Sequence, residues 1–269
     1  MEFASSPFYS GLLDTALAVV ALLALTFAVA VNRHRHSIID TVWGLGFIVI
    51  AAVSFWHSSG HGCLARRILI LALVAVWGLR LATHVARRAI GKGEDPRYVA
   101  MLEKGGASPN RRALVVVYLP QGVAMWWVSL PVQIAMYGGR PLRPLDALGG
   151  LIALVGLSFE AIGDLQLTRF LADPAHRGEV MDHGLWRYTR HPNYFGDALF
   201  WWGIFVIAAA HLPGVFTILS PVAMTVLLTR GTGKALLERT VVDRRPGYAD
   251  YVSRTSGFVP LPPKRRRDA

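Results

Sequence analysis

The 269-residue sequence has a single cysteine, Cys63, and it has no internal repeat and no low-complexity tract. One cysteine excludes an intrachain disulfide and any zinc site built from several thiolates. The missing repeat disfavours a transporter assembled from paired halves. Acidic residues are also scarce, with 17 Asp and Glu against 28 Lys and Arg, which gives a formal net charge of +11. That positive charge indicates either a nucleic-acid partner or a membrane.

The basic residues flank apolar runs, and no recognisable nucleic-acid motif surrounds the final basic cluster at residues 264–267. Nucleic acid is therefore not a predicted partner, because anionic lipid headgroups are sufficient to explain the charge. The first apolar run is preceded by Glu2 and contains Asp14, where a signal peptide would have a positive start. This pattern predicts a retained membrane span.

Hydrophobic residues make up 53% of the chain, and a membrane-spanning helix needs roughly 20 mostly apolar residues. Seven segments meet this requirement, so the sequence predicts an all-α, polytopic membrane protein of about seven transmembrane helices. Six crossings are the main alternative, because a turn at residues 211–214 separates two rather short final segments. The predicted spans are residues 11–31, 38–56, 68–86, 113–137, 145–167, 195–210 and 215–229.

The distribution of Lys and Arg favours seven crossings, because these residues concentrate in cytoplasmic loops. With an external N-terminus and a cytoplasmic C-terminus, 23 of the 28 basic residues lie on the cytoplasmic side. Only Arg66, Arg67, Arg140 and Arg143 then fall in external loops, and Arg80 lies within the third span.

Several ionisable residues lie inside the predicted spans, where each costs on the order of 3 kcal/mol unless it finds a partner or a cavity. Asp40 begins the second span and Arg80 lies on the third, so they either pair with each other or belong to a substrate site. Glu160 and Asp164 lie one turn apart on the fifth span, which indicates either a ligand site or a helix end in cytoplasmic water. The loop 87–112 is either a mobile cover or a solvated connector.

The most specific segment is HGLWRYTRHPNYFGD at residues 183–197, immediately before an apolar span. This segment suits an anionic ligand such as a phosphate, because it offers Arg and His cations, an Asn side chain and the backbone amides at the start of a helix. This segment resembles the C-terminal part of the steroid 5-alpha-reductase superfamily, in its bacterial branch of unknown function. The further motifs that resemble this branch are Tyr248-x-x-Tyr251, TSGFVP at 255–260, DTVWG at 40–44 and Glu94-Asp95-x-Arg97-Tyr98.

The resemblance implies a seven-helix membrane protein that reduces a carbon–carbon double bond conjugated to a carbonyl, with NADPH as cofactor and no metal. Its substrate would be a steroid-like or isoprenoid-like enone from the bilayer, and its location the bacterial inner membrane. Residues 1–137 would form the substrate side of a single membrane domain, and residues 138–269 the cofactor-binding helices and cytoplasmic tail. The cofactor residues implied by position are Glu160, Asp164, Arg169, Tyr188, Arg190, His191, Asn193, Tyr194, Asp197, Arg230, Arg244, Tyr248 and Tyr251.

The resemblance is weaker for the catalytic residues. The animal enzymes polarise the substrate carbonyl with a glutamate on the second helix and a tyrosine on the third, and neither stands at the corresponding depth in this sequence. Asp40, Arg80 and Tyr98 are the candidate catalytic residues instead.

The 190–196 pattern also resembles membrane methyltransferases that act on isoprenylcysteine or phospholipid amines with S-adenosylmethionine, which is the alternative function. A membrane scaffold or carrier is a further alternative.

Overall fold

The computed structural model describes residues 3, 5–103, 108–230 and 247–264. In these ranges the regular elements are helices, joined by loops and by an isolated bridge between Thr189 and Ser256. The main helices are α1 (Ser5–Arg33), α2 (Ile38–His57), α3 (Leu64–Ala89), α4 (Pro96–Glu103), α5 (Pro109–Ala135), α6 (Pro144–Ala172), α7 (Pro192–Ala208), α8 (Leu212–Arg230) and α9 (Tyr248–Arg254).

Six helices in the described part of the chain are long and apolar enough to cross a membrane: α1, α2, α3, α5, α6 and α8. These six confirm the corresponding predicted spans as helices. The remaining predicted span, 195–210, is also helical, but α7 has 17 residues. At 1.5 Å per residue it is about 26 Å long, which is shorter than a hydrocarbon core of about 30 Å.

The chain divides into two compact units. The first unit comprises Met1–Ala147 and Ile207–Ser220, and the second comprises Leu148–Val206 and Pro221–Ala269, each within the described ranges. Helices α1 to α5 therefore belong to the first unit, whereas most of α6 and α7, together with α9, belong to the second.

Close helix packing in the first unit depends on glycine. A Cβ on Gly44 of α2 would lie 2.5 Å from the carbonyl oxygen of Gly78 on α3, and the reverse distance is also 2.5 Å. Small residues let membrane helices approach closely, which gains packing contacts that lipid cannot replace. A buried hydrogen bond from Thr15 to Gln133, 2.7 Å long, adds a polar contact between α1 and α5.

The loop 87–112 is anchored over its described residues by Glu94. The Glu94 carboxylate accepts hydrogen bonds from the backbone N–H groups of His36 and Ser37, at the start of α2, and of Asp95. A carboxylate at this position satisfies donors that have no helical partner and interacts favourably with the helix dipole. Helix α4 begins two residues after Glu94, at Pro96, and Tyr98 on this helix is buried.

A buried ion pair holds the start of α3 against the start of α6. Arg66 and Asp146 are 0% and 1% exposed, and the guanidinium donates two hydrogen bonds of 2.6 and 2.8 Å to the carboxylate. The prediction that Arg66 and Arg67 lie in a loop was wrong, because both lie in the first turn of α3 and are buried. For Arg66 the pairing with Asp146 supplies the physical reason, since a buried arginine needs a countercharge. The guanidinium of Arg67 lies over the Phe55 ring, 4.4 Å from its centroid.

In the second unit, α6 and α7 meet along a glycine seam, formed by Gly156 and Gly163 on α6 and Gly196 and Gly203 on α7. Each pair is seven residues apart, so both members lie on one helix face. A Cβ on Gly196 would overlap the backbone nitrogen of Glu160. The seam therefore brings the backbones of the two helices together at the level of the predicted cofactor residues.

Candidate functional site

The strongest candidate site is a polar cluster in the second unit, formed by Glu160 and Asp164 on α6 and by Asn193 and Asp197 on α7. Each helix contributes two residues four apart, so each pair lies on one helix face. Glu160, Asp164 and Asp197 are buried. Asn193 Nδ2 donates a 3.0 Å hydrogen bond to Asp164 Oδ1, so the structure brings these two predicted residues together.

The amide of Asn193 also presents an acceptor. Because Nδ2 donates to Asp164, the oxygen Oδ1 is the remaining polar atom of the side chain. This oxygen is buried, and no described residue donates a hydrogen bond to it. Buried polar atoms in proteins normally have a partner. The cluster therefore offers an acceptor to a ligand that carries hydroxyl or amide donors.

The loop before α7 is fastened to α6. Gly184 has φ +61°, a left-handed conformation that favours glycine, and it begins a short 3-10 turn, Gly184–Arg187. The backbone N–H of Leu185 donates to Gln166 Oε1 at 3.0 Å, and Trp186 Nε1 donates to the carbonyl oxygen of Gly163 at 3.0 Å. These bonds fix the segment that carries the predicted residues Tyr188 to Asn193.

The residues 247–264 form a tail strap that lies against this loop. Tyr251, which was predicted in the cofactor site, donates a 2.6 Å hydrogen bond to the carbonyl oxygen of Trp186, and its ring lies near that of Tyr248. Burial raises the pKa of Tyr251 above its ordinary value, so the phenol stays protonated as a donor. Further strap contacts are Thr189 Oγ1 to Phe258 O at 2.8 Å, Arg190 N to Ser256 O at 2.9 Å and Leu261 N to Tyr188 O at 3.0 Å.

The other predicted cofactor residues occupy different surroundings. The rings of His191 and Tyr194 stack at 5.3 Å, and Tyr188 and Arg230 are exposed. Arg169 is exposed near the end of α6 and lines a cavity of about 260 Å³. The remaining lining residues of this cavity are Gln166, Phe170, Asp173, His176, Met181 and His183. Arg244, together with Arg245, lies outside the described residues.

In the first unit, the structure brings together Asp40 and Tyr98, two of the three predicted catalytic residues. Tyr98 donates a 2.5 Å hydrogen bond to Asp40 Oδ1, and Gln121 Nε2 donates to the Tyr98 hydroxyl at 3.4 Å. Arg97 lies 3.3 Å from Asp40 Oδ2. We call these four residues the tyrosine relay. Its hydrogen bonds join α2, α4 and α5.

The electrostatics of the relay keep the phenol protonated. Tyr98 is 5% exposed, and burial, followed by the charge of Asp40, raises the pKa of its hydroxyl above the ordinary value. The hydrogen bond to Asp95 raises the pKa of Arg97, so its positive charge is maintained beside Asp40. Arg80, the third predicted catalytic residue, lies half-buried on α3.

Sequence reasoning missed two members of the tyrosine relay, Arg97 and Gln121. The sequence left open a pair between Arg80 and Asp40, whereas the structure gives Asp40 the partners Tyr98 and Arg97. The sequence signal that could have found Arg97 is the pattern at residues 94–98, which places this arginine next to Tyr98. Among the described residues, no group of three or more His, Cys, Asp and Glu side chains is arranged to hold a metal ion.

Comparison with known proteins identifies a family and one distant relative. The family described as "Protein of unknown function (DUF1295)" matches residues 26–255. An uncharacterized protein of the fission yeast Schizosaccharomyces pombe, C594.04c, is 22% identical over 285 aligned positions, which cover 95% of this chain and 80% of the relative. No solved structure matches the chain.

Proposed function

The chain belongs to the DUF1295 family of proteins of unknown function, and we propose that it is a membrane-embedded, NADPH-dependent reductase. The reaction would add hydrogen across a carbon–carbon double bond conjugated to a carbonyl, in a lipophilic substrate that enters from the bilayer. The DUF1295 family is associated with steroid 5-alpha-reductase-like proteins, which is consistent with this proposal. The observation that carries the proposal is the buried acceptor of Asn193 beside Asp164.

The polar cluster supplies what a dinucleotide needs. Asp164, Asn193 and Asp197 offer acceptors for ribose hydroxyl and carboxamide donors, and the N-terminus of α7 offers backbone amides and a favourable dipole for phosphate. Arg169 adds a cation that lines the 260 Å³ cavity. Bound NADPH would supply a hydride to the β-carbon of the substrate.

Reduction of an enone also requires a proton, because hydride addition leaves negative charge on the substrate oxygen. Tyr98 is the candidate donor, and burial raises the pKa of its hydroxyl, so the phenol is protonated throughout the neutral range. The phenol has one proton, which it donates to Asp40 Oδ1, while Gln121 Nε2 donates to the phenol oxygen. To protonate a substrate, the hydroxyl would turn from Asp40 to the substrate oxygen and break its hydrogen bond to the carboxylate. Developing negative charge on the substrate oxygen would be stabilised by the same donor.

Replacing Asn193 by alanine is expected to weaken NADPH binding by about tenfold to a hundredfold. It removes the acceptor for the ligand and also the hydrogen bond that positions the Asp164 carboxylate, and a hydrogen bond to a charged group is worth roughly 1.5–3 kcal/mol. The measurement is equilibrium binding of NADPH, NADH and S-adenosylmethionine to purified protein. Asn32→Ala is the matched control, since Asn32 is exposed on α1. Tight binding of S-adenosylmethionine without NADPH would favour the methyltransferase, and unchanged NADPH binding by folded Asn193→Ala would contradict the site.

We propose further that α7 crosses the membrane with the six longer helices, which gives an external N-terminus, a cytoplasmic C-terminus and a location in the bacterial inner membrane. The support is that 23 of 28 basic residues then lie on the cytoplasmic side. In a Cys63→Ser background, which removes the native thiol, a cysteine tag at the C-terminus is expected to resist an impermeant thiol reagent in intact cells, whereas a tag at the N-terminus is expected to react. The opposite labelling pattern would overturn this topology.

A further inference from the structure

The guanidinium of Arg190 is directed at the end of a helix in the tail strap. Its Nη1 donates hydrogen bonds to the carbonyl oxygens of Val252, 3.1 Å away, and Thr255, 2.7 Å away. These carbonyls lie at the C-terminus of α9 (Tyr248–Arg254), where helical carbonyls lack partners and the helix dipole favours a cation. Arg190 therefore caps α9 from another part of the chain.

The backbone of Arg190 makes a second connection to the strap. Its N–H donates to the carbonyl oxygen of Ser256 at 2.9 Å, next to the bridge between Thr189 and Ser256. Arg190 is two residues before Pro192, where α7 begins, and three before Asn193. One residue thus joins the strap, through both its side chain and its backbone, to the first turn of α7.

We propose that Arg190 is a positioning residue, which holds the tail strap against the 188–190 segment and thereby fixes Asn193 at the polar cluster. The resemblance implied a different role for Arg190, as a cofactor residue near the phosphates. A residue that contacts phosphate should present its guanidinium to the ligand, whereas Nη1 of Arg190 is bound to two backbone carbonyls. The effect on a ligand at Asn193 rests on the proposed function, but the anchoring of the strap does not.

Two further contacts show that the strap is held at several points. Arg254 lies 2.6 Å from Asp182, which precedes the loop, and this contact raises the pKa of the arginine. Tyr251 donates to the carbonyl oxygen of Trp186. If Arg190 acts through the strap, its removal and the removal of the Tyr251 hydroxyl should weaken the same structure, so their effects should not add.

The first test is amide hydrogen exchange of the full chain without any nucleotide. In Arg190→Met, exchange of the Leu261 and Lys264 amides is expected to accelerate by about ten- to a hundredfold, since loss of charged hydrogen bonds opens the strap. Arg187→Met is the matched control, because Arg187 is exposed in the same loop, and it should leave exchange unchanged. Unchanged exchange in Arg190→Met would overturn the proposal.

The second test is a double-mutant cycle on NADPH binding, with Arg190→Met, Tyr251→Phe and the double variant. A positioning role predicts that the double variant binds no more than about threefold more weakly than Arg190→Met alone. Direct contact with phosphate predicts that the two losses in affinity multiply, which would overturn the proposal. If exchange accelerates as expected but the parent chain binds no NADPH, then the proposed function fails while the anchoring role of Arg190 stands.

Discussion

Replacing Asp146 by alanine is expected to lower the free energy of unfolding by about 3–5 kcal/mol, because it leaves Arg66 buried without its countercharge. Arg66 is 0% exposed, so water cannot solvate the guanidinium that remains. Its other donors bind carbonyl oxygens of the loop that follows α5, at Gly138, Arg140 and Pro141. Loss of the carboxylate therefore destabilises this loop and the start of α6 together.

The measurement is unfolding of the purified protein by denaturant in mixed micelles, with helix content followed by circular dichroism. Asp182→Ala is the matched control, because it removes an Arg–Asp pair of the same 2.6 Å length whose side chains are 24% and 42% exposed. Such an exposed pair is worth about 1 kcal/mol or less. Similar losses in the free energy of unfolding of the two variants would show that burial does not determine how much the Arg66–Asp146 pair contributes to stability.

Replacing Tyr98 by phenylalanine is expected to lower the turnover of an enone substrate by about 10²- to 10⁴-fold, which is the usual contribution of a general acid. Phenylalanine keeps the ring that α4 buries and removes only the hydroxyl that donates to Asp40. The reaction would then depend on water for its proton. Asp40→Asn should have a smaller effect, because the amide oxygen can still accept the phenol hydrogen bond.

The measurement is the rate at which the protein in nanodiscs oxidises NADPH in the presence of a panel of lipophilic enones. The rate is followed by the absorbance of NADPH. Tyr118→Phe is the matched control, since Tyr118 is a buried tyrosine of the same unit whose hydroxyl contacts His36 at 3.4 Å. That variant is expected to keep full turnover. A folded Tyr98→Phe protein with the turnover of the parent would place the proton donor elsewhere.

The helices were predictable from the sequence because their signal is local. A run of about 20 apolar residues is sufficient to indicate a span, and six of the seven predicted segments are helices long enough to cross a membrane. The segment that forms α7 shows the limit of this reasoning. Its apolar residues continue to Ala210, but the helix ends at Ala208, because helix length depends on where the backbone turns as well as on hydropathy.

Side-chain partners were less predictable, because they depend on residues far apart in the chain. Tyr98 and Asp40 are 58 residues apart, and Arg66 and Asp146 are 80 apart. A buried arginine near a span end looks the same in the sequence whether it is solvated in a loop or paired. The contact between Asp164 and Asn193 was more accessible, since the resemblance implied that both residues belong to the cofactor site.

The glycine seam restricts how the polar cluster can move. Where Gly156 and Gly196 meet, backbone lies against backbone, so a slide of α6 along α7 by one residue would drive a Cβ into the opposite main chain. Such a ratchet is a common way for packed helices to change state, and this seam forbids it. We therefore expect the register that sets Asn193 beside Asp164 to stay the same when a ligand binds. Any gate that admits a ligand to the second unit must then operate in its loops, by hinge motion, while the two helices stay locked in register.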